Sequence, residues 1–236
     1  MRLFGFSTGA LALGDFRKAL SMLEDIAVGA IELSALRVRE LPLLLDFAKQ
    51  TDLTRFSHIS VHAPTDYSAS NEVEIVEQLA FFVEKKWPIV AHPDAIHDYS
   101  PWRGLGSLLY IENMDKRKPV GRTVEELERI FEKLPEAKMC FDIAHARQVD
   151  TSMTEAYRII KAFHGLIKQI HISVVNTSSK HDLISPNVAL AFQKIAFLIP
   201  STIPVILETP VKRDQLRQQL EMAEVSLGMT QCQSSN

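Results

Sequence analysis

Cysteine is nearly absent. The 236-residue chain has two, Cys140 in an apolar run and Cys232 in the polar tail Thr230–Asn236, and nothing in their settings pairs them. A disulfide scaffold is excluded on that count. No apolar run approaches the roughly 18 residues that span a bilayer. The start, Met1-Arg2-Leu3-Phe4-Gly5-Phe6-Ser7, lacks the length and cleavage pattern of a secretory signal, so a cytoplasmic chain with no membrane partner is expected. An excess of either charge is missing too, with 26 Lys+Arg against 29 Asp+Glu and a formal net charge of -3. That balance offers no overall basic field, which disfavours a nucleic-acid partner. Nor is there a low-complexity linker before about Gly228. One domain over residues 1–227, followed by a disordered polar tail over 228–236, is the expectation.

What the chain does have is a rhythm of short apolar runs. Leu3–Phe6, Ala30–Leu33, Ile59–Val61, Ile89–Ala91, Leu108–Ile111, Lys138–Phe141, Ile167–Ile172 and Val205–Leu207 make eight, and helical patterns separate most of them. Asp15–Val28 places Phe16, Ala19, Leu20, Leu23 and Ile26 at three- and four-residue spacing, and Asn71–Lys85 and Thr123–Leu134 behave likewise. Thr123 followed by Glu126 predicts a capping box, and His164-Gly165 predicts a helix end on a left-handed glycine. Near-continuous apolar strands alternating with helices imply a parallel sheet covered on both faces. Eight such units predict an α/β fold, a single (β/α)8 TIM barrel, slightly under the usual size of about 250 residues. One unit is irregular. His92–Ser107 contains Pro93, Pro101, Gly104 and Gly106, so a loop with a short helix at most follows the fourth strand. An open doubly wound sheet is the alternative, but no Gly-x-Gly-x-x-Gly follows the first strand to cradle a dinucleotide.

Ionisable residues close nearly every run. Glu32 follows Ala30-Ile31, His62 follows Ser60-Val61, His92 follows Val90-Ala91 and Glu112 follows Tyr110-Ile111. Asp142 follows Cys140-Phe141, His171 follows Gln169-Ile170 and Glu208 follows Ile206-Leu207. A barrel brings its strand C-termini to one face, where barrel enzymes keep their active sites. Ionisable groups are costly to bury unpaired, so their gathering at one end is a functional signal. Imidazoles and carboxylates without paired thiols suit a divalent ion such as zinc, manganese or magnesium. An ion also lets several carboxylates stand together without raising one another's pKa. His145, in Asp142-Ile143-Ala144-His145, and His181, in the polar loop Asn176–Asp182, extend the set. Glu32 has three readings, a substrate contact, a partner for an arginine such as Arg37 or a cap for the following helix. Trp102, in Ser100-Pro101-Trp102-Arg103-Gly104, is either a cover over bound substrate or buried packing. His58 starts a strand, His97 lies in the irregular loop and His164 ends a helix, so these three read as structural, as does Trp87.

Six motifs carry a family resemblance: Val61-His62-Ala63-Pro64, Ala91-His92-Pro93, Ile111-Glu112-Asn113, Phe141-Asp142-Ile143-Ala144-His145, Ile170-His171-Ile172-Ser173 and Leu207-Glu208-Thr209-Pro210. In this order, over residues 1 to about 226, the chain resembles the xylose isomerase-like barrel superfamily, which holds sugar-phosphate isomerases and epimerases and the type IV apurinic endonucleases. The resemblance implies that Glu112, Asp142, His171 and Glu208 ligate one ion. It implies too that Glu112 and Glu208 move protons on a sugar carbon by way of an enediolate, with His145 on a substrate hydroxyl. The endonuclease branch instead hydrolyses phosphodiesters with three zinc ions. There His62 and His92 match ligands of the first, and His145 and His181 match ligands of the third. The aspartate expected two residues before His181 is Ser179 here, a poor ligand. The leading expectation is a metal-dependent isomerase or epimerase of a small sugar-like substrate or hydroxy-ketone. A zinc phosphodiesterase acting on abasic DNA or another phosphodiester is the alternative, and a metal-binding barrel without catalysis the third. Arg37, Arg147, Lys180 and Lys212 are candidates for holding a phosphate.

Overall fold

The computed structural model describes residues 2–229. Parallel strands β1 (Phe4–Ser7), β2 (Ala30–Ser34), β3 (His58–His62), β4 (Ile89–Ala91), β5 (Leu109–Glu112), β6 (Lys138–Asp142) and β7 (Ile167–Ile172) pair in chain order. After β7 a small antiparallel hairpin intervenes, β8 (Val174–Val175) with β9 (His181–Asp182). β10 (Val205–Leu207) then pairs with both β7 and β1 and closes an eight-stranded barrel. The expected (β/α)8 architecture is the one observed. Cys232 and the tail from Thr230 lie outside the described residues, and among those described no helix is long and apolar enough to cross a membrane.

The helices in order are α1 (Thr8–Ala12), α2 (Phe16–Met22), α3 (Leu41–Gln50), α4 (Glu72–Glu84), α5 (Tyr99–Trp102), α6 (Val124–Lys133), α7 (Ile143–Val149), α8 (Thr154–Phe163), α9 (Pro186–Ala196) and α10 (Leu216–Ser226). After β4 the chain makes only the one-turn α5 and a 3-10 stretch, Arg103–Leu108, interrupted at Gly106. Gly106 sits at φ 55, ψ -136, a conformation open in practice to glycine alone. Gly5 has a different reason: a Cβ there would stand 1.9 Å from the Ala30 carbonyl oxygen, so only glycine lets β1 lie against β2.

Three local expectations need correction. The helix expected over Asp15–Val28 stops at Met22, and Leu23 to Asp25 continue as turns. Asp25 is held by Arg213 and Arg217. The capping box at α6 is half formed: Thr123 Oγ1 accepts from Glu126 N at 3.4 Å, while the Glu126 carboxylate turns to the Arg122 backbone and guanidinium. α8 ends at His164 as expected, but Gly165 is not left-handed.

The apolar runs conceal an alternation that positions the site. One face of each strand, with residues such as Ile31, Leu33, Val61, Ile111, Phe141 and Ile172, packs against the helices in the main core. The other face points to the barrel axis, where Val90, Tyr110 and Cys140 form a small separate cluster. The same alternation puts Glu32, Ser60, His62, Glu112, Asp142, Gln169 and His171 inside the barrel, all nearly or fully buried.

Candidate metal centre

Glu112, fully buried at the end of β5, is the hub of the site. Its Oε2 lies 3.1 Å from His92 Nε2 and 3.4 Å from His62 Nε2, and those two nitrogens are 3.1 Å apart. Its Oε1 lies 3.2 Å from His171 Nδ1, which in turn is 3.4 Å from Glu208 Oε2. Asp142 completes the second group, with one donor from each of Glu112, Asp142, His171 and Glu208 all within 4.8 Å of one another. One carboxylate is thus shared between two sets of potential ligands.

Local structure aims each of these groups. Asp142 caps α7, its Oδ1 accepting from His145 N at 2.7 Å, which leaves Oδ2 buried with no hydrogen-bond partner. Asn113, a residue whose role sequence reasoning missed, clamps the end of β6: its amide donates to Asp142 O and accepts from Asp142 N, both at 2.8 Å. His62 Nδ1–H donates to Ala63 O at 2.9 Å, so Nε2 faces Glu112. His145 Nδ1–H donates to Asn113 O at 2.9 Å, so Nε2 is left for the cavity.

The donors fit divalent ions. Ligands about 2.0–2.1 Å from one ion stand about 3.0–3.4 Å apart in octahedral or tetrahedral arrangements, and the separations around Glu112 run from 3.1 to 3.4 Å. Asp142 Oδ2 is buried without a partner, a costly state for a carboxylate oxygen that ligation would relieve.

The electrostatics point the same way. Burial alone would lower the His62 pKa, but the hydrogen bond to Glu112 and the charges of Glu32 and Glu208 overcome it and raise it to about 9. Burial likewise opposes protonation of His145, yet Asp142 and Glu112 lift it to about 10. His171 is raised well above its ordinary value against its own burial, by Cys140 and three carboxylates. Burial would raise Glu112, but the imidazoles of His171, His145 and His62 hold it well below the usual carboxylate range. Asp142 goes up to about 6, chiefly through burial. These side chains gather positive charge at the place where a cation would supply it.

Above them opens a cavity of ≈ 390 Å³ with His62, His92, His145, His181, Glu208 and Lys180 in its wall and Leu13, Leu36 and Pro210 at its rim. His181, on the β8–β9 hairpin, shares a hydrogen bond with Ser173 Oγ at 2.8 Å and brings Nε2 to 3.8 Å from Glu208 Oε2. Ser179 also lines the cavity, its hydroxyl donating to Asp115 Oδ1 at 2.8 Å. Of the four candidate phosphate holders, Lys180 alone is in the wall, and Arg37 pairs with Glu40.

Two residues expected at the substrate are elsewhere. Trp102 is fully buried and absent from the cavity wall, with its indole N–H donating to Glu72 Oε1 at 2.9 Å. Glu72 is a structural hub that also accepts from His97 N and Asp98 N, and it anchors the irregular loop. Glu32 is fully buried inside the barrel, neither in the cavity wall nor paired with Arg37. It accepts instead from Ser60, Gln169 and His171.

No family model and no curated protein matches the chain. Solved structures do match over almost the whole length. Endonuclease IV from Thermus thermophilus superimposes with a TM-score of 0.64 at 18% identity, covering 97% of this chain and 100% of that one. A xylose isomerase domain protein from Alicyclobacillus acidocaldarius gives 0.62 at 12% identity, covering 96% and 99%. A 3-keto-D-glucoside 4-epimerase from E. coli gives 0.54 at 13% identity, covering 94% and 100%. The chain shares the barrel fold of these isomerase-like and endonuclease IV proteins.

Proposed function

We propose that the chain is a divalent-metal hydrolase of small phosphoesters, in which His62 and His92 would hold one ion and Asp142, His171 and Glu208 another, with Glu112 available to both. The division of that one buried carboxylate, Oε2 toward His62 and His92 and Oε1 toward His171, supports this reading above any other observation. A one-ion isomerase requires the second group alone and would leave His62 and His92 to substrate in the cavity wall. Zinc or manganese suits the mixed imidazole and carboxylate donors. Paired ions at such a site supply Lewis acidity and a nucleophile at neutral pH, as they do in phosphatases and nucleases.

The residues around them bind and orient. Lys180 neutralises phosphate oxygens, and His145, its ring fixed through Asn113 O, donates a hydrogen bond from Nε2 to one of them. His181 holds a proton at Nε2 for the departing oxygen, beside Glu208. Leu13, Leu36 and Pro210 cover the organic part of the substrate and keep water from it. A cavity of ≈ 390 Å³ is of small-molecule size. With a net charge of -3, the chain has no general attraction for a duplex.

A second reading, isomerisation or epimerisation of a small sugar-like ligand, is favoured by Glu112 and Glu208 lying 3.2 and 3.4 Å from the same His171 nitrogen. Elemental analysis of zinc-loaded protein, combined with assays on p-nitrophenyl phosphate and bis(p-nitrophenyl) phosphate, separates the two. Two ions per chain and hydrolysis are expected, and His92→Ala is expected to keep one ion and lose turnover. One ion per chain, no hydrolysis and solvent deuterium entering a ketose would replace the hydrolase with the isomerase.

A further inference from the structure

A column of polar side chains runs inside the barrel beneath the metal centre. At its lower end His58, which starts β3 and lines a depression of ≈ 360 Å³ at the opposite mouth of the barrel, donates from Nε2 to Gln169 Oε1 at 2.8 Å. Gln169 Nε2 donates to Glu32 Oε2 at 2.7 Å, and Ser60 Oγ donates to the same oxygen at 3.1 Å. His171 Nε2 lies 2.9 Å from that oxygen too, and its other ring nitrogen faces Glu112 and Glu208. Glu32, Ser60, Gln169 and His171 are all fully buried.

A buried carboxylate with three donors on one oxygen is not there to fill space. An apolar side chain would fill the barrel axis at lower cost, as Val90 and Tyr110 do one layer away. With His171 Nδ1 given to an ion, its ring proton is on Nε2 and is donated to Glu32, while the Gln169 carbonyl accepts from His58 Nε2 and the Gln169 amide, 2.9 Å from His171 Nε2, turns to the same Glu32 oxygen. That arrangement leaves the lone pair of His171 Nδ1 directed at the centre. A proton path along the column is ruled out by Gln169, since an amide does not readily pass protons on.

We infer that Glu32 is a positioning residue for the metal centre: it fixes the tautomer and ring orientation of His171 and raises its basicity, while Ser60, Gln169 and His58 hold Glu32 in place. Partners of this kind on the far nitrogen of a ligating histidine typically change metal affinity by about 10–100-fold. The inference rests on the metal-centre reading above and adds an asymmetry to it. Among the described residues no hydrogen bond joins this column to His62 or His92, whose far nitrogens face Ala63 O and the neighbourhood of Asp94. Glu32 therefore holds a ligand of one ion by a direct hydrogen bond and reaches the ligands of the other only through its charge.

The test is titration of the full chain with cobalt(II), read by its visible absorption and by competition with a chelator, in wild type and in Glu32→Gln. Wild type is expected to bind two ions. Glu32→Gln is expected to weaken one of them about 10–100-fold, change its ligand-field spectrum, and leave the other within about twofold. If the variant fails to fold, Ser60→Ala, which keeps the carboxylate and removes one donor, is expected to weaken the same ion by a smaller factor. Equal affinities for both ions in wild type and variant would overturn the role of Glu32 while leaving the metal centre intact. Equal weakening of both ions would show a general loosening, which also overturns it. A wild-type chain that takes up no cobalt would overturn the metal-centre reading and this inference with it.

Discussion

At the scale of the residue, the site depends on groups that spend one atom on structure and leave the other for chemistry. Asp142 gives Oδ1 to the α7 backbone and keeps Oδ2 free, and His145 gives Nδ1–H to Asn113 O and keeps Nε2. Asn113 is the residue on which both depend, because it fixes the Asp142 backbone from both sides. Asn113→Ala leaves a buried N–H and C=O unpaired at Asp142, a destabilisation of about 1–3 kcal/mol. It is also expected to weaken the ion held by Asp142 and His171. Denaturant unfolding and chelator competition read the two effects separately, and a variant with unchanged stability would show that Asn113 is not a clamp. The strand-end residues were legible beforehand, because each follows its apolar run in the same way and a closed barrel has one place for all of them. The column below was not. Ser60 and Gln169 are uncharged and read as ordinary strand residues. Their signal was the period-two spacing His58, Ser60, His62 and Gln169, His171, which marks a polar axial face within runs read as continuously apolar.

At the scale of the element, the segment after β4 was legible as irregular from its prolines and glycines, but its role was not. A tryptophan between Pro101 and Arg103 carries no sign of the direction it faces. The structure turns it inward onto Glu72, a carboxylate 30 positions earlier that is itself 1% exposed and shared with two backbone amides. This is a long-range contact with no local pattern to announce it. Trp102→Phe keeps the ring and removes the N–H, so a loss of about 1–3 kcal/mol is expected. Trp102→Ala is expected to cost about 3–5 kcal/mol through the cavity it leaves. Turnover and metal affinity of Trp102→Phe should match wild type below its melting temperature. A fall in turnover with unchanged stability would put Trp102 over the substrate after all. The early end of α2 is of another kind, since the apolar periodicity continues through Leu23 and Ile26 while the helix stops at Met22.

At the scale of the whole molecule, a cluster of buried carboxylates and imidazoles makes stability depend on what neutralises it. In protein stripped by a chelator, His62 and His145 have folded pKa values raised from 6.5 to about 9 and about 10. A group whose pKa is raised on folding stabilises the fold fully below its unfolded value and loses that contribution as pH climbs through the folded one. The stabilisation from these two histidines is therefore complete below about pH 6.5 and fades toward pH 9–10. Glu112 has the opposite sign. Its depressed pKa contributes above the ordinary carboxylate range and is lost as pH falls below that range through the folded value, so it cannot offset the alkaline loss. The melting temperature of the stripped protein is thus expected to fall between about pH 6.5 and 10. Loaded protein should behave differently, because zinc or manganese replaces the proton of His62 and binds more tightly as it leaves. Its melting temperature should stay level or rise across the same window, and the gap between the two curves should widen with pH. Parallel curves would mean that the ions sit somewhere other than among these histidines, which would remove the basis for a centre built on Glu112.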